Sequence, residues 1–179
     1  MDTSILLEIY KKFILSTSTS ETFAVKCPDH LLFLDDISKV FEDAKIVWIH
    51  RDPYDSICSY SPMIFSAWKL FFKNVEKKNV GDFVVNLYER MLLKSVKDRK
   101  KIGNQIIDIQ YSDLIGNPEG ISQMLSVELN KNIILKSKKT RKSTNFFKNK
   151  FKFDITEYEL SKSEIDNKFS FYTKEFIRT

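Results

Sequence analysis

The chain has 179 residues, 42% hydrophobic and 30% charged, a size and balance that suit one domain spanning 1–179 with a buried core and leave little room for two. Its four glycines, Gly81, Gly103, Gly116 and Gly120, are nowhere two or five residues apart, which excludes both G-x-G-x-x-G and G-x-x-x-x-G-K-[ST] phosphate loops. The formal charge is +5, yet nine cations and no acid lie between Lys131 and Lys152, leaving 20 cations against 24 acids, a net −4, elsewhere. Basicity is therefore local and points to one anionic ligand or surface.

The only histidines, His30 and His50, and the only cysteines, Cys27 and Cys58, fit neither zinc-site spacing nor a disulfide framework, and two thiols suit a reducing compartment. No apolar run approaches the ~20 residues of a membrane span. The first residues lack the basic start and cleavage site of a signal peptide, so a cytoplasmic, soluble protein is the expectation.

In chain order, Ile5, Leu6, Ile9, Phe13 and Ile14 recur at helical spacing, and the Ser/Thr run at 16–20 ends that helix. Thr22 to Lys26 reads as a short strand stopped by Pro28. Leu31 to Phe41 reads as a helix. Lys45 to His50 holds the run Ile46, Val47, Trp48 and Ile49 expected of a strand buried on both faces. Asp52 followed by Pro53 is a helix start, with a break expected near Ser61-Pro62. Asp82 to Lys101 reads as a long amphipathic helix, Gln105 to Tyr111 as a third strand, and Asn117-Pro118 as a second capped start, opening a helix to Leu129. After the aperiodic basic stretch, Ser161 and Glu164 form a capping-box pattern before a last helix whose Ile165, Phe169, Tyr172 and Phe176 face inward. Strands separated by helices imply a parallel sheet. Ligands bind beyond the carboxyl ends of such strands, so Lys26, Arg51 and Tyr111 are expected at one edge.

Arg51 and Ser59 are the most informative pair. With Arg51 at a strand end and Ser59 about two turns into the following helix, a guanidinium and a hydroxyl can grip one phosphate from two sides. The helix start adds N–H donors, although Asp52 and Asp55 oppose an anion there. The plainer reading of Arg-Asp-Pro is an ion pair plus a cap. Lys26 can neutralise charge on a leaving-group oxygen, or it is simply solvated. His30 has the pKa range of a general base, or it packs locally. His50, inside the apolar run, reads as a satisfied core histidine, and Cys27 lacks a partner base. Tyr111 either stacks on or bonds to a base, or is a half-buried core tyrosine. The lysines at 131–152, interleaved with Phe146, Phe147, Phe151 and Phe153, suit a solvated loop or a nucleic-acid surface.

Together these motifs resemble the sulfotransferases that use 3′-phosphoadenosine 5′-phosphosulfate (PAPS), especially the bacterial-type branch. The resemblance lies in 24–30 (Ala-Val-Lys-Cys-Pro-Asp-His), 34–37 with 40–45, the Ile-His-Arg-Asp-Pro of 49–53 through Ser59-Tyr60, Tyr111-Ser-Asp-Leu114 with Asn117-Pro118, and 153–158 with the last helix. It implies an α/β, P-loop-NTPase-like parallel sheet with flanking helices. It further implies PAPS as co-substrate without a metal, and transfer of its sulfuryl group to an acceptor hydroxyl or amine. By the resemblance, Arg51 and Ser59 bind the donor's 3′-phosphate, Tyr111 lies near adenine, and Lys148, Lys150 and Lys152 stand in a basic loop over the same phosphate. Lys26 then approaches the sulfuryl group and His30 serves as base. The family's glycine after a basic pair in that loop is absent here. So are its first strand and 5′-phosphosulfate loop, so the expectation is an incomplete, truncated fold with little or no activity and self-association through exposed sheet edges. Two rival readings are a non-catalytic nucleotide 3′-phosphate-binding module and a basic nucleic-acid binder.

Overall fold

The Asp52 carboxylate and the proline beside it set the longest well-marked helix start in the chain, and the structure, a computed structural model, places a helix there. It describes residues 3–17, 22–135 and 154–178. Helices α1 (Thr3–Thr17) and α2 (Leu34–Val40) flank a 3-10 turn at Pro28–Leu32, and strand β1 (Ile46–His50) follows. Next come α3 (Pro53–Phe71), α4 (Lys77–Ile102), strand β2 (Ile106–Gln110), α5 (Tyr111–Gly116) and α6 (Pro118–Glu128). A 3-10 turn at Ile155–Tyr158 leads to α7 (Lys162–Lys168) and α8 (Ser170–Phe176). The two strands pair as neighbours in a small parallel sheet.

Contacts group the chain into two units, 1–48 with 90–107 and 49–89 with 108–179. In the first, α1 packs on α2: Thr3 Oγ1 donates to Asp36 at 3.0 Å, Lys11 Nζ to the Val40 carbonyl at 2.6 Å, and Tyr10 meets Phe41 edge-on. That contact uses the Thr3, Tyr10 and Ile14 side of α1. Ile5, Leu6, Ile9 and Phe13, the apolar stripe of the sequence, are exposed. Buried Asp98 is paired with Lys94 and lies 3.5 Å from the Asp35 N–H, while Asp35 itself pairs with Lys39 and Lys101, whose hydrogen bonds hold its carboxyl below the ordinary range.

The second unit is built around Ile57, Val80, Val84, Ile165, Phe169 and Tyr172, all essentially buried. Here α3 packs on α7. The Ser161 capping box forms as its spacing implies, with the Ser161 N–H donating to Glu164 at 3.1 Å and the Glu164 N–H to Ser161 Oγ at 3.3 Å.

Five expectations are corrected. Residues 22–26 form no strand: Phe23 and Val25 are exposed, and the alternation has no ladder to join. The helix of 31–41 is divided into the 3-10 turn and α2 at Phe33. Helix α3 runs through Pro62 without a break, since Ile57 and Ser61 are buried and hold it to the core against the lost backbone bond. The terminal helix is split at Phe169, whose N–H and neighbours close a tight turn. The β1 strand is buried on one face only: Trp48 and His50 are covered, Val47 and Ile49 are not.

Gly81 is dictated by packing. A Cβ there would lie 2.7 Å from the Tyr158 carbonyl oxygen and 3.0 Å from its Cβ, so α4 approaches the 155–158 turn closely only without a side chain. Gly81→Ala is expected to cost about 1–3 kcal/mol in urea unfolding. Gly116→Ala, where a Cβ meets nothing within 4 Å, should be neutral or slightly stabilising; equal effects would contradict this account of Gly81.

Candidate functional site

The end of β1 and the end of β2 deliver Arg51 and Tyr111 side by side in the second unit. The Arg51 guanidinium lies 4.8 Å above the Tyr111 ring, a cation–π contact, and its Nη1 donates toward Ser59 Oγ at 3.4 Å. Ser59 is reached two turns into α3, and its own O–H donates to the Ser56 carbonyl at 3.0 Å. Arg51 Nε is buried and, among the described residues, has no acceptor. A buried donor left unsatisfied costs about 1–3 kcal/mol, so this guanidinium is short of oxygen partners.

The helix start contributes less than its dipole implies. Asp52 Oδ1 accepts the Tyr54 N–H at 2.7 Å and the Asp55 N–H at 3.4 Å, so the cap consumes donors that an anion would otherwise use. Cation and hydroxyl, rather than backbone N–H groups, are the means this site has of holding an anion.

Behind Arg51, His50 is buried and fully engaged. Its Nε2 is 2.8 Å from Asp108 Oδ1, its Nδ1 is 2.7 Å from the Tyr172 hydroxyl, and its ring stacks on Phe176 at 5.1 Å and 9°. A neutral ring satisfies both contacts when Nε2–H donates to the carboxylate and Nδ1 accepts the tyrosine O–H. Gln110, one residue before Tyr111, adds a bond from Nε2 to the Phe176 carbonyl at 2.8 Å. The C-terminal helix is thereby tied to the strand ends from which Arg51 and Tyr111 project.

The reading of His50 as a satisfied core residue agrees with this geometry, but the sequence did not single out Asp108 and offered Tyr172 only as an inward-facing residue of the last helix. Asp108 had a signal available, a lone acid inside the apolar run Ile-Ile-Asp-Ile. The pairing of the Tyr172 hydroxyl with His50 had none, because the two are 122 residues apart.

Lys26 and His30 belong to the first unit. Lys26 is exposed in the extended segment before the 3-10 turn. His30 lies inside that turn, with Nε2 3.4 Å from the Tyr10 hydroxyl and the rings tilted at 5.9 Å. Burial pushes the His30 imidazole below its ordinary range, and the Asp29 carboxylate opposes part of that shift. Cys27 Sγ is 3.7 Å from Asp29 Oδ2, and Cys58 is raised by burial, so neither thiol is set up as a nucleophile. Lys148, Lys150 and Lys152 lie outside the described residues. Among the described residues no three His, Cys, Asp or Glu side chains converge on a metal position, and no helix is long and apolar enough to cross a membrane.

The profile of the sulfotransferase family matches residues 2–129, well over half of the chain, and the protein belongs to that family. Among solved structures, the crystal structure of the sulfotransferase STF9 from Mycobacterium avium is similar over 93% of this chain, with a TM-score of 0.73 and 17% sequence identity. The match covers 44% of that chain, so this protein spans less than half its length. The P-loop-like α/β fold that the family resemblance implied is the one observed. No curated protein matches the sequence.

The environment of His30 gives a directional test. In a proton NMR titration it should ionise below 6.5, and Asp29→Asn should lower it further by removing the opposing charge. Because the folded value is the lower one, the unfolded chain binds more protons as pH falls through the unfolded value, and stability from this group declines on acidification. Ionisation at or above 6.5 would contradict the burial argument.

Proposed function

We propose that this protein is a PAPS-dependent sulfotransferase and that Arg51 and Ser59 hold the donor's 3′-phosphate. The observation that carries the reading is the unsatisfied, buried Nε of a guanidinium already paired with Ser59 and laid on Tyr111. A guanidinium with a spare donor beside a rotatable hydroxyl fits a phosphate, since Arg supplies a directional fork and Ser59 can turn its O–H from the Ser56 carbonyl to an anionic oxygen.

In this reading Tyr111, already against Arg51, stands beside the adenine. Lys148, Lys150 and Lys152 supply further charge over the same phosphate. Lys26 neutralises charge at the sulfuryl group or leaving phosphate, and His30 takes the proton from the acceptor hydroxyl or amine. A His30 held neutral near pH 7 suits that base role. The donor itself supplies an activated sulfuryl group; the chain's residues position, neutralise charge and accept one proton. All 179 residues are read as one sulfotransferase-like domain. Self-association through exposed sheet edges belongs to the same proposal, supported by a sheet that has two strands among the described residues, each with one edge outside the ladder.

Calorimetry with adenosine 3′,5′-bisphosphate tests the donor site. Wild type should bind it and prefer it to adenosine 5′-monophosphate. Arg51→Ala should weaken it by about 10- to 100-fold and Ser59→Ala by several-fold, as expected for charge-assisted and neutral hydrogen bonds. No binding by wild type, or equal affinity for the two nucleotides, would overturn the reading. Transfer of radiolabelled sulfuryl groups then separates an enzyme from a nucleotide-binding module.

A further inference from the structure

At the far end of α3 from Arg51, the chain builds a second cleft that the donor reading does not use. Trp68 lies in the last turns of α3, Phe72 begins the connecting segment, and Phe83 sits on α4. Together with Asn74, Glu76 and Asn79 they line a groove of about 440 Å3, within the range of ligand-holding clefts, about 300–1,000 Å3. Trp68 is nine residues beyond Ser59, about 14 Å along the helix, so this groove and the Arg51 pair are separate places on one unit.

The ring arrangement narrows the ligand. The Trp68 ring is 5.1 Å from Phe83 at 54° and 6.3 Å from Phe72 at 71°. Trp68 is inclined to both phenylalanines, so the three rings do not make a flat platform for a planar ligand. Phe72 is 60% exposed and Phe83 41%, so two of the walls reach solvent and have not closed into the core.

Charge points the same way. Glu76 lines the groove, and its carboxylate accepts a bond from Asn79 Nδ2 at 3.2 Å; among the described residues no cation pairs with it. The flanking lysines are directed elsewhere: Lys69 Nζ lies over Phe65, and Lys77 is paired with Glu157. Lys73, between Phe72 and Asn74, is exposed and is not part of the lining. An acid at this position also suits the start of α4, but the helix dipole does not call for three aromatic walls around it.

We propose that this groove binds a methylated or quaternary ammonium group of a small organic cation. Ring faces attract such a cation at about 0.5–2 kcal/mol per contact, with Trp the strongest, and Glu76 supplies the balancing charge. The apolar methyl surface fits where a bare, strongly hydrated ammonium would lose too much water.

The test titrates the full chain with choline and with 3,3-dimethylbutanol, its neutral isostere, following the Trp68 indole N–H by NMR. Choline should produce a saturable shift, and the isostere should bind about tenfold or more weakly. Phe83→Leu, which keeps the Trp68 reporter, should weaken choline several-fold. Should that variant unfold, Glu76→Gln, at an exposed position, keeps the test open and should weaken choline several-fold without lowering the melting temperature. Arg51→Ala should leave choline binding unchanged, which keeps this result independent of the donor site. Equal binding of the isostere, no saturation by choline, or binding to phosphatidylcholine vesicles alone would each overturn the proposal.

Discussion

The second unit depends on how one buried imidazole is satisfied. His50 closes the β1 strand in the interior, where an unpaired polar ring costs several kcal/mol. Its two nitrogens are met by Asp108 on β2 and by Tyr172 on α8, and its face by Phe176 on the same helix. One side chain therefore joins two strands and the C-terminal helix. Ile165 and Phe169, buried in α7 and in the turn that follows it, extend the same packing. With so few strands in the described residues, this polar knot does the joining that a broad sheet ladder does elsewhere.

Its functional consequence is positional. The residue after His50 is Arg51, and the third residue after Asp108, beyond Gln110, is Tyr111. Fixing His50 against Asp108 and Gln110 against α8 therefore fixes where the guanidinium and the phenol ring emerge. The cation–π contact between them preorganises Arg51, and among the described residues its Nε is left without an acceptor. Asp52, in contrast, spends its charge on capping α3. An anion at this edge must be held by side chains, consistent with a chain whose glycines form no phosphate loop.

Much of this architecture was legible from residue order. The Asp-Pro and Asn-Pro starts, the capping box at Ser161 and the apolar run of β1 act within a few residues, and local chemistry settles them. The Arg51–Ser59 spacing was legible for the same reason, since two helical turns are a fixed distance. Long-range effects were hidden. The alternation at 22–26 looks like a strand, but strands exist only where a neighbour offers a ladder. Pro62 reads as a break, yet burial of Ile57 and Ser61 outweighs one lost backbone bond. The stripe Ile5, Leu6, Ile9 and Phe13 has the right period for a helix, but period alone does not say which side another element covers. Nor does residue order show that Phe72 is open and that it and Trp68 line a groove.

Family membership and fold rest on the profile match and the structural likeness; the chemistry rests on Arg51. The most direct measurement is a crystal structure of the chain with adenosine 3′,5′-bisphosphate. The account predicts 3′-phosphate oxygens within hydrogen-bond distance of the Arg51 guanidinium and Ser59 Oγ, with the adenine beside Tyr111. A nucleotide bound elsewhere, with Arg51 still turned only to Ser59 and Tyr111, would contradict it.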